Sequence, residues 1–278
     1  MKVYAFSDIH GQGELFDLIV EFMERDYEQY LCYFLGDACD RGPDGYRIME
    51  HLLANPEKFA YIKGNHEDMF VRAAREFIKM AEEEGYTPSE FAARYDWRAE
   101  DVMFGGSDMY LHWRNGGETT FTSWMRAGCP TKILHQLDEL PLMAELSIND
   151  GDVDNVTRIY DMCHAGCKMQ DWNDEIEDAL LWDRDHFSQE WKFETDGVPH
   201  VLIHGHTPVP HMPDHFRKEN DMNSTRPLRY NNGTKINIDT ACFHTGVVNL
   251  FDIGEDVFFT FYRSDVILTP FGVNNPNV

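Results

Sequence analysis

Short apolar runs alternate with longer amphipathic stretches along the first part of the chain. Three of the runs predict strands, at Lys2–Phe6, Tyr30–Leu35 and Phe59–Ile62. Each is followed by apolar residues at helical spacing, which predict helices at Glu14–Met23, in the segment that Asp44 can cap, and at Met69–Met80. Because strand, loop and helix alternate three times, we expect an α/β fold with parallel neighbouring strands, whose carboxyl ends gather ligand groups.

The later part of the chain contains further apolar runs and one long polar stretch. Six runs predict strands, at Leu142–Ile148, Val156–Met162, Val201–Ile203, Ile236–Ile238, Gly246–Phe251 and Val257–Tyr262. The polar stretch Asp214–Asn232 is predicted to be a loop. We interpret the whole chain, residues 1–278, as a single domain.

The segment at about residues 81–130 has a different composition, being acidic and aromatic with interspersed glycines. We interpret it as an inserted helical and loop segment within the same domain. Its aromatic side chains could form a cap that shapes a substrate cleft, since long loops often cover active sites. They could also form a small satellite core of their own, which is the preferred interpretation, and the two interpretations are compatible.

Composition narrows the class of protein. Lys and Arg total 24 against 49 Asp and Glu, giving a formal charge of −25, so non-specific nucleic-acid binding is not expected. No apolar window has the length of a membrane span, and the N-terminus has no long apolar signal region, which predicts a cytoplasmic protein without a membrane partner. The six cysteines form no CxxC pair and are expected to be reduced thiols.

Candidate metal ligands follow five of the predicted strands: Asp8 and His10, Asp37 and Asp40, Asn65 and His66, His164, and His204 and His206. Asp8 and His10 are two positions apart, so in an extended segment both side chains would leave the same face. A mixed set of carboxylate, imidazole and amide ligands suits Mn²⁺, Fe²⁺ or Zn²⁺. If one carboxylate bridges two such ions, the site suits in-line displacement at phosphorus, which also needs an acid and a cationic clamp.

Each of these residues also has a purely structural interpretation. An aspartate at a strand end is more often a turn or helix cap than a ligand, and Asp40 beside Arg41 could form a surface ion pair. His164 could be a structural histidine and Asn65 a turn residue. The joint occurrence at five strand ends favours a functional site.

Five ordered motifs resemble those of the phosphoprotein phosphatase family of calcineurin-like metallophosphoesterases: Asp8-Ile9-His10-Gly11, Gly36-Asp37-Ala38-Cys39-Asp40-Arg41-Gly42, Gly64-Asn65-His66-Glu67, His164-Ala165-Gly166 and His204-Gly205-His206-Thr207-Pro208. Asn115-Gly116-Gly117 and Trp182-Asp183-Arg184 resemble the bacterial and bacteriophage branch, whose members act on phosphoserine, phosphothreonine and often phosphotyrosine. The resemblance implies the metallophosphoesterase fold, in which two mixed β-sheets pack between helical layers.

The resemblance also implies a role for each matching residue. Asp8 and His10 would bind the first of two divalent metal ions, Asp37 would bridge both, and the second would be bound by three residues: Asn65, His164 and His206. The ions are expected to be Mn²⁺, with iron or zinc as alternatives. His204 would either support a ligand or face solvent.

The remaining roles concern the proton and the phosphate. His66 would be the general acid and Asp40 its orienting partner, since a carboxylate beside an imidazole raises the proton-donating fraction. Arg41 and Arg184 would bind phosphate oxygens, because a guanidinium fork matches them. Arg184 rests on a short match, and Arg158 or Arg47 could take its place.

The sequence therefore predicts a dimetal-dependent phosphomonoester hydrolase, most simply a serine/threonine protein phosphatase acting by direct attack of a metal-bridging hydroxide. Its expected partner is a phosphorylated protein or a small phosphoester. Symmetrical dinucleoside tetraphosphate hydrolases have similar motifs and form an alternative. A catalytically poor phosphoprotein-binding module is another, although binding alone would require no general acid.

Overall fold

Two mixed β-sheets form the centre of the molecule. The computed structural model describes residues 1–26, 29–94, 107–149, 156–168, 176–191, 194–195, 197–216, 225–265, 267–269 and 272–274. The first sheet contains β1 (Lys2–Phe6), β2 (Tyr30–Phe34), β3 (Phe59–Tyr61), β10 (Val247–Asp252) and β11 (Val257–Tyr262), in the order β11-β10-β1-β2-β3. Strands β1, β2 and β3 are parallel neighbours, as predicted, and β10 pairs antiparallel with β1 and β11.

The second sheet has the order β4-β5-β7-β9-β8, with β6 paired to β7. Its strands are β4 (Met143–Asn149), β5 (Val156–Cys163), β6 (Glu194–Thr195), β7 (Val198–His204), β8 (Leu228–Tyr230) and β9 (Lys235–Asn237). Strand β7 runs parallel to β5 and β9, whereas β4, β6 and β8 pair antiparallel. A separate hairpin joins β12 (Ile267–Thr269) to β13 (Gly272–Asn274).

The helices are α1 (Gly13–Asp26), α2 (Gly45–Ala54), α3 (Asn65–Glu83), α4 (Pro88–Arg94), α5 (Ser107–Arg114), α6 (Glu118–Arg126), α7 (Thr131–Asp138), α8 (Ile176–Trp182) and the single turn α9 (Cys242–Thr245). Helices α1, α2 and α3 follow β1, β2 and β3, as the sequence pattern predicts. None of the helices in the described ranges combines the length and the apolar character that a membrane span requires.

Alternation of side chains along the strands explains the layering. Ala5 and Tyr33 of the first sheet share a buried cluster with Met162 and Ile203 of the second, so the two sheets pack face to face. The neighbouring residues Tyr4, Phe6 and Phe34 point the other way, into a cluster with α1, α2 and α3. Leu202 packs against Leu180 of α8 on the far side of the second sheet. The structure confirms the predicted fold, with two mixed sheets between helices.

Two local predictions need correction. Within the predicted loop Asp214–Asn232, residues 217–224 lie outside the described ranges, but Leu228–Tyr230 form β8 beside β9. Three residues are too few for a strand signal to stand out from the polar sequence around them. Asp44 does precede α2, but its side chain makes no capping bond; it lies 3.5 Å from Arg47 instead.

The buried aromatic side chains in the described part of the inserted segment, residues 81–94 and 107–130, belong to the main core. Phe91, Phe121 and Trp124 belong to the same buried cluster as the helical face of the first sheet, and all three rings lie within 6 Å of the Phe77 ring of α3. The preferred interpretation as a satellite core is therefore wrong, because α3 extends far enough to present apolar side chains to the insertion. Residues 95–106, with three of the insertion's aromatics, lie outside the described part of the chain.

Candidate active site

The motif residues lie just after β1, β2, β3, β5 and β7, at one edge of the two sheets, with Asn65 and His66 in the first turn of α3. Eight of the ten are buried: Asp8, His10, Asp37, Asp40, Asn65, His66, His164 and His206. Arg41 is half-buried and Arg184 is exposed. All five motifs therefore contribute to a single site.

The first two loops are tight turns held to each other by backbone hydrogen bonds. Asp8 N donates to Gly36 O and His10 N to Asp37 O, both at 3.0 Å. Asp8, His10 and Asp37 all have positive φ, at 53°, 44° and 61°. The extended geometry predicted for Asp8–His10 is wrong, because β1 ends at Phe6 and the turn, instead of strand alternation, sets the two side-chain directions. Backbone strain of this kind often accompanies functional sites.

Asp37 lies at the centre of the candidate ligands. In the described residues, two groups that contain it have ligand atoms within 4.8 Å of one another, His10–Asp37–His66 and Asp37–His164–His206. Asp37 Oδ2 lies 3.5 Å from His10 Nε2, and Asp37 Oδ1 lies 3.4 Å from His164 Nε2. The carboxylate thus presents one oxygen to each side, an arrangement that suits a bridging ligand.

Backbone carbonyls set the tautomers of two histidines. His10 Nδ1 donates to Cys39 O at 3.0 Å, and His164 Nδ1 donates to Leu35 O at 2.7 Å. Each ring therefore keeps its Nε2 lone pair for the site, the arrangement typical of metal-binding histidines. Burial lowers the pKa of His10, and that of His164 to about 3, which favours the neutral, ligating form.

The second group also contains the predicted asparagine. Asn65 Oδ1 lies 2.9 Å from His164 Nε2 and 3.0 Å from His206 Nδ1, and the two ring nitrogens are 3.2 Å apart. Because His164 donates a hydrogen bond from Nδ1–H, its Nε2 carries the lone pair, which faces a second imidazole nitrogen and an amide oxygen. These three atoms lie close enough together to bind one cation.

Asp8 lies outside both groups and faces His206. Both of its carboxylate oxygens accept a hydrogen bond from His206 N at 3.2 Å. Burial raises the pKa of Asp8 well above its ordinary value, and the charge of Asp239 raises it further. The pKa of Asp37 is also raised, first by burial and then by the charges of Asp8 and Glu67. Several carboxylates are thus buried together, which is costly without cations. The donor set fits two divalent ions.

His66 and Asp40, predicted to be the general acid and its orienting partner, are in contact. His66 Nδ1 lies 2.7 Å from Asp40 Oδ2, and Asp40 is fully buried. Burial would raise the pKa of Asp40, but the charge and hydrogen bond of His112 and those of His66 outweigh it and hold the pKa well below its usual range. Burial lowers the pKa of His66, and although Asp40 opposes this, as predicted, it does not reverse it.

Both predicted arginines line a cavity of about 290 Å³ at the mouth of the site, together with His10 and His206. Arg41 approaches His10 Nε2 at 2.6 Å and His66 Nε2 at 3.1 Å, and Arg184 donates to Thr207 Oγ1 at 3.0 Å. The alternatives are not among the lining residues: Arg47 pairs with Asp17, and Arg158 donates to Tyr160. The structure thus places Arg184, and neither alternative, beside Arg41.

His204 does not face solvent. It is fully buried, and its Nε2 lies 2.7 Å from the hydroxyl of Tyr230 in β8. The solvent-facing alternative is therefore wrong.

Sequence reasoning missed four residues that shape the site. Glu67 accepts hydrogen bonds from the backbone N–H groups of Asp37, Ala38 and Gly64 at 2.8–2.9 Å, which joins two of the loops. Its place in the Gly64–Glu67 motif was a usable signal. Arg114 and Asp239 line the cavity, and His112 contacts Asp40. The latter three have no local signature, because the chain brings them to the site from distant segments.

A third group of potential ligands lies on the second sheet, away from the cavity: Glu145, Asp161 and His200. Asp161 Oδ2 already accepts from Trp191 Nε1 at 2.6 Å and from His200 Nδ1 at 2.8 Å. Hydrogen bonds within the fold therefore account for this buried carboxylate.

The calcineurin-like phosphoesterase family profile matches residues 1–243, a range that contains all ten predicted site residues. The chain belongs to this family. The finer placement in the phosphoprotein phosphatase branch stays a prediction. The six cysteines of this metallophosphoesterase are all buried and are free thiols, as the sequence predicts.

Curated relatives match a shorter part of this metallophosphoesterase. The symmetrical bis(5'-nucleosyl)-tetraphosphatase of Buchnera aphidicola subsp. Acyrthosiphon pisum is 33% identical over 87 residues, 31% of each chain. That of Buchnera aphidicola subsp. Schizaphis graminum is 28% identical over 94 residues, 34% of each chain. The chain spans about a third of the length of the curated relatives that it matches.

Among solved structures, a protein provisionally described as a diadenosine tetraphosphatase has a TM-score of 0.52 and 12% identity, covering 94% of this chain and 93% of that one. At this identity the likeness supports the shared fold.

Proposed function

We propose that this protein is a dimetal-dependent phosphomonoester hydrolase that acts on proteins phosphorylated at serine or threonine. Asp8, His10 and Asp37 would hold one ion, and Asp37 would hold the second together with Asn65, His164 and His206. Two bound divalent ions, with Mn²⁺ as the expected metal, would supply Lewis acidity and an acidified water at the phosphorus centre.

The observation that most supports hydrolysis of an alkyl phosphoester is the buried pair of His66 and Asp40, 2.7 Å apart beside Asp37. Serine and threonine alkoxides are poor leaving groups and need a proton as the bond to phosphorus breaks. Asp40 accepts from His66 Nδ1, which turns Nε2 towards the site, and its charge opposes the lowering of the His66 pKa by burial.

Arg41 and Arg184 support binding of the phosphoryl group. Both guanidinium groups line the cavity that His10 and His206 also line. Each can donate in a planar fork to two phosphate oxygens, and neither can bind a metal ion, because a guanidinium has no lone pair to offer.

The test is a substrate panel with added Mn²⁺: phosphoserine and phosphothreonine peptides, p-nitrophenyl phosphate and diadenosine tetraphosphate. We expect turnover of the phosphopeptides, release of inorganic phosphate and no covalent phosphoenzyme in a rapid quench. Turnover restricted to the dinucleotide would overturn the proposal.

Symmetrical hydrolysis of dinucleoside tetraphosphates is the second candidate function. Arg114 adds a third guanidinium to the cavity, which suits a substrate with more than one phosphate, and the curated relatives have this activity in their names. In this case Arg114→Gln should impair diadenosine tetraphosphate cleavage far more than p-nitrophenyl phosphate cleavage.

A further inference from the structure

Helix α5 of the insertion holds a buried histidine against Asp40. His112 Nε2 lies 2.9 Å from Asp40 Oδ1, while His66 Nδ1 lies 2.7 Å from Asp40 Oδ2. Both His112 and Asp40 are fully buried. Asp40 is thus shared by two imidazoles, and His66 is the one that lies beside Asp37.

A hydrogen bond and close packing hold the ring of His112 in place. An ionised Asp40 accepts hydrogen bonds, so His112 must donate from Nε2, and its buried Nδ1 has no hydrogen-bond partner among the described residues. Phe70 and Phe121 pack against the ring with centroids 5.7 and 6.1 Å away. A Cβ on Gly117 would come within 2.4 Å of it, so this position must remain glycine. The hydrogen bond to Asp40 is therefore the polar contact that the His112 ring makes with the described residues.

The insertion also holds the backbone of the Asp40–Arg41 turn. Asp40 N donates to Thr120 Oγ1 of α6, and Arg41 N donates to Gly116 O, both at 2.8 Å. Asp40 and Arg41 have φ values of 70° and 64°, a conformation that L-residues keep only when their surroundings impose it. The segment from α5 to α6 thus fixes both the turn and the carboxylate on it.

We propose that His112 is a positioning residue that orients Asp40 and, through it, the proton-donating ring of His66; this rests on the proposed function. With Oδ1 saturated by His112, the carboxylate has one orientation, in which Oδ2 meets His66 Nδ1. Without that donor, Oδ1 would be a buried anionic oxygen lacking a partner, and the carboxylate would rotate or admit water to satisfy it. His66 Nε2 would then lose its fixed direction.

The test compares His112→Gln with His112→Met, which have similar size and differ in the hydrogen-bond donor. Phenyl phosphate and p-nitrophenyl phosphate differ in leaving group, so their ratio reports proton donation whether or not a phosphoprotein is the substrate. We expect His112→Met to lower kcat for phenyl phosphate roughly 10- to 100-fold, the usual cost of losing a supporting residue. The kcat for p-nitrophenyl phosphate should fall much less, KM and metal content should not change, and His112→Gln should recover most of the loss.

Met109→Ala is the matched control, because Met109 is buried in the same helix and its side chain has no hydrogen-bond donor to offer Asp40. It should lower the melting temperature without changing the ratio of the two substrates. Equal losses on both substrates, an unchanged ratio in folded His112→Met, or the same ratio change in Met109→Ala would each overturn the proposal. Failure on phosphopeptides alone would overturn only the proposed function.

A second measurement needs no turnover. The proton on His66 Nδ1, bound to a buried carboxylate, should give a downfield NMR resonance that His66→Asn removes. We expect this resonance to shift or broaden in His112→Met, to be largely restored in His112→Gln, and to be unaffected in Met109→Ala. An unperturbed resonance in His112→Met would refute the positioning role.

Discussion

Asp37 and Asp40 are buried carboxylates three positions apart in one turn, and their surroundings differ sharply. Around Asp37, burial and the charges of Asp8 and Glu67 raise its pKa. Around Asp40, two imidazoles each contribute a hydrogen bond and together hold its pKa well below the usual range. We call these the Asp37 cluster (Asp8, His10, Asp37, Asn65, His164 and His206) and the Asp40 cluster (Asp40, His66 and His112).

The difference indicates two kinds of chemistry within one loop. The Asp40 cluster neutralises its carboxylate with the protein's own donors, so it is complete without added ions. In the Asp37 cluster, single backbone N–H groups donate to the two carboxylates, from His206 N to Asp8 and from His66 N to Asp37, and among the described residues neither carboxylate is shared by two hydrogen-bonded imidazoles as Asp40 is. This dense set of carboxylate, imidazole and amide ligand atoms suits divalent cations. We therefore expect mutations to separate metal binding from proton donation.

The largest effect should come from the centre of the Asp37 cluster. Asp37→Ala should lose both ions, because this carboxylate belongs to both ligand groups, whereas His10→Ala should weaken one. Activity should fall further than the roughly 10- to 100-fold that removing a residue supporting a metal ligand costs. A chelator should abolish wild-type activity and Mn²⁺ should restore it. Metal content per chain checks the ranking, and full turnover after exhaustive chelation would contradict it.

The next effect should come from the acid of the Asp40 cluster. His66→Asn should retain two ions and lose roughly 10²- to 10⁴-fold in kcat on phosphoserine peptides, the usual worth of a general acid. The loss should be smaller on p-nitrophenyl phosphate, whose leaving group hardly needs a proton. Asp40→Asn should give a milder version of the same pattern. If His66→Asn loses a metal ion, the two clusters are not separable in this way.

The arginines should show a smaller effect that spares both clusters. Arg41→Ala and Arg184→Ala should bind two ions and lose about 10- to 100-fold in kcat/KM, as expected for lost charge-assisted hydrogen bonds. We expect Arg41→Ala to lower kcat and Arg184→Ala mainly to raise KM and the inhibition constant for phosphate. Arg47→Ala, which removes an exposed arginine paired with Asp17, is the control and should leave kcat, KM and the inhibition constant for phosphate unchanged. An unchanged phosphate inhibition constant in Arg184→Ala would reject that assignment.

The smallest effect concerns stability of the chelated protein. The pKa of Asp37 is higher in the folded protein than in the unfolded chain. As the pH rises above about 4, the carboxyl group of Asp37 therefore loses its proton more readily in the unfolded chain, and its contribution to the free energy of unfolding falls. The pKa of Asp40 is lower in the folded protein, so the ionised Asp40 stabilises the fold at neutral pH, and this stabilisation is lost as the pH falls below about 4.

At pH 7 in chelator, Asp37→Asn should therefore raise the free energy of unfolding, because it removes a buried carboxylate whose pKa is raised by burial and by the charges of Asp8 and Glu67. Asp40→Asn should lower it by about 1.5–3 kcal/mol, the worth of a hydrogen bond to a charged group. Denaturant unfolding at pH 4 and pH 7 measures both. If both variants change the free energy of unfolding in the same direction at pH 7, the surroundings of Asp37 and Asp40 do not differ in the way described.

The sequence by itself determined the alternation of strands and helices and the position of most site residues. Strand runs and helical spacing are local patterns, so β1, β2 and β3 and the helices after them were predictable, although α3 begins at Asn65 and not at the predicted Met69. The motif residues Asp37, Asn65 and His164 were identifiable because they follow strands, and parallel strands bring such ends together.

Only the tertiary structure decided how these residues meet. Positive φ values, and not strand alternation, orient Asp8 and His10. His112 reaches Asp40 across 72 positions and His206 reaches Asp8 across 198, separations over which no periodicity connects two residues. The inserted segment joined the main core for the same reason, because packing against Phe77 depends on the three-dimensional path of the chain and leaves no local pattern in the sequence.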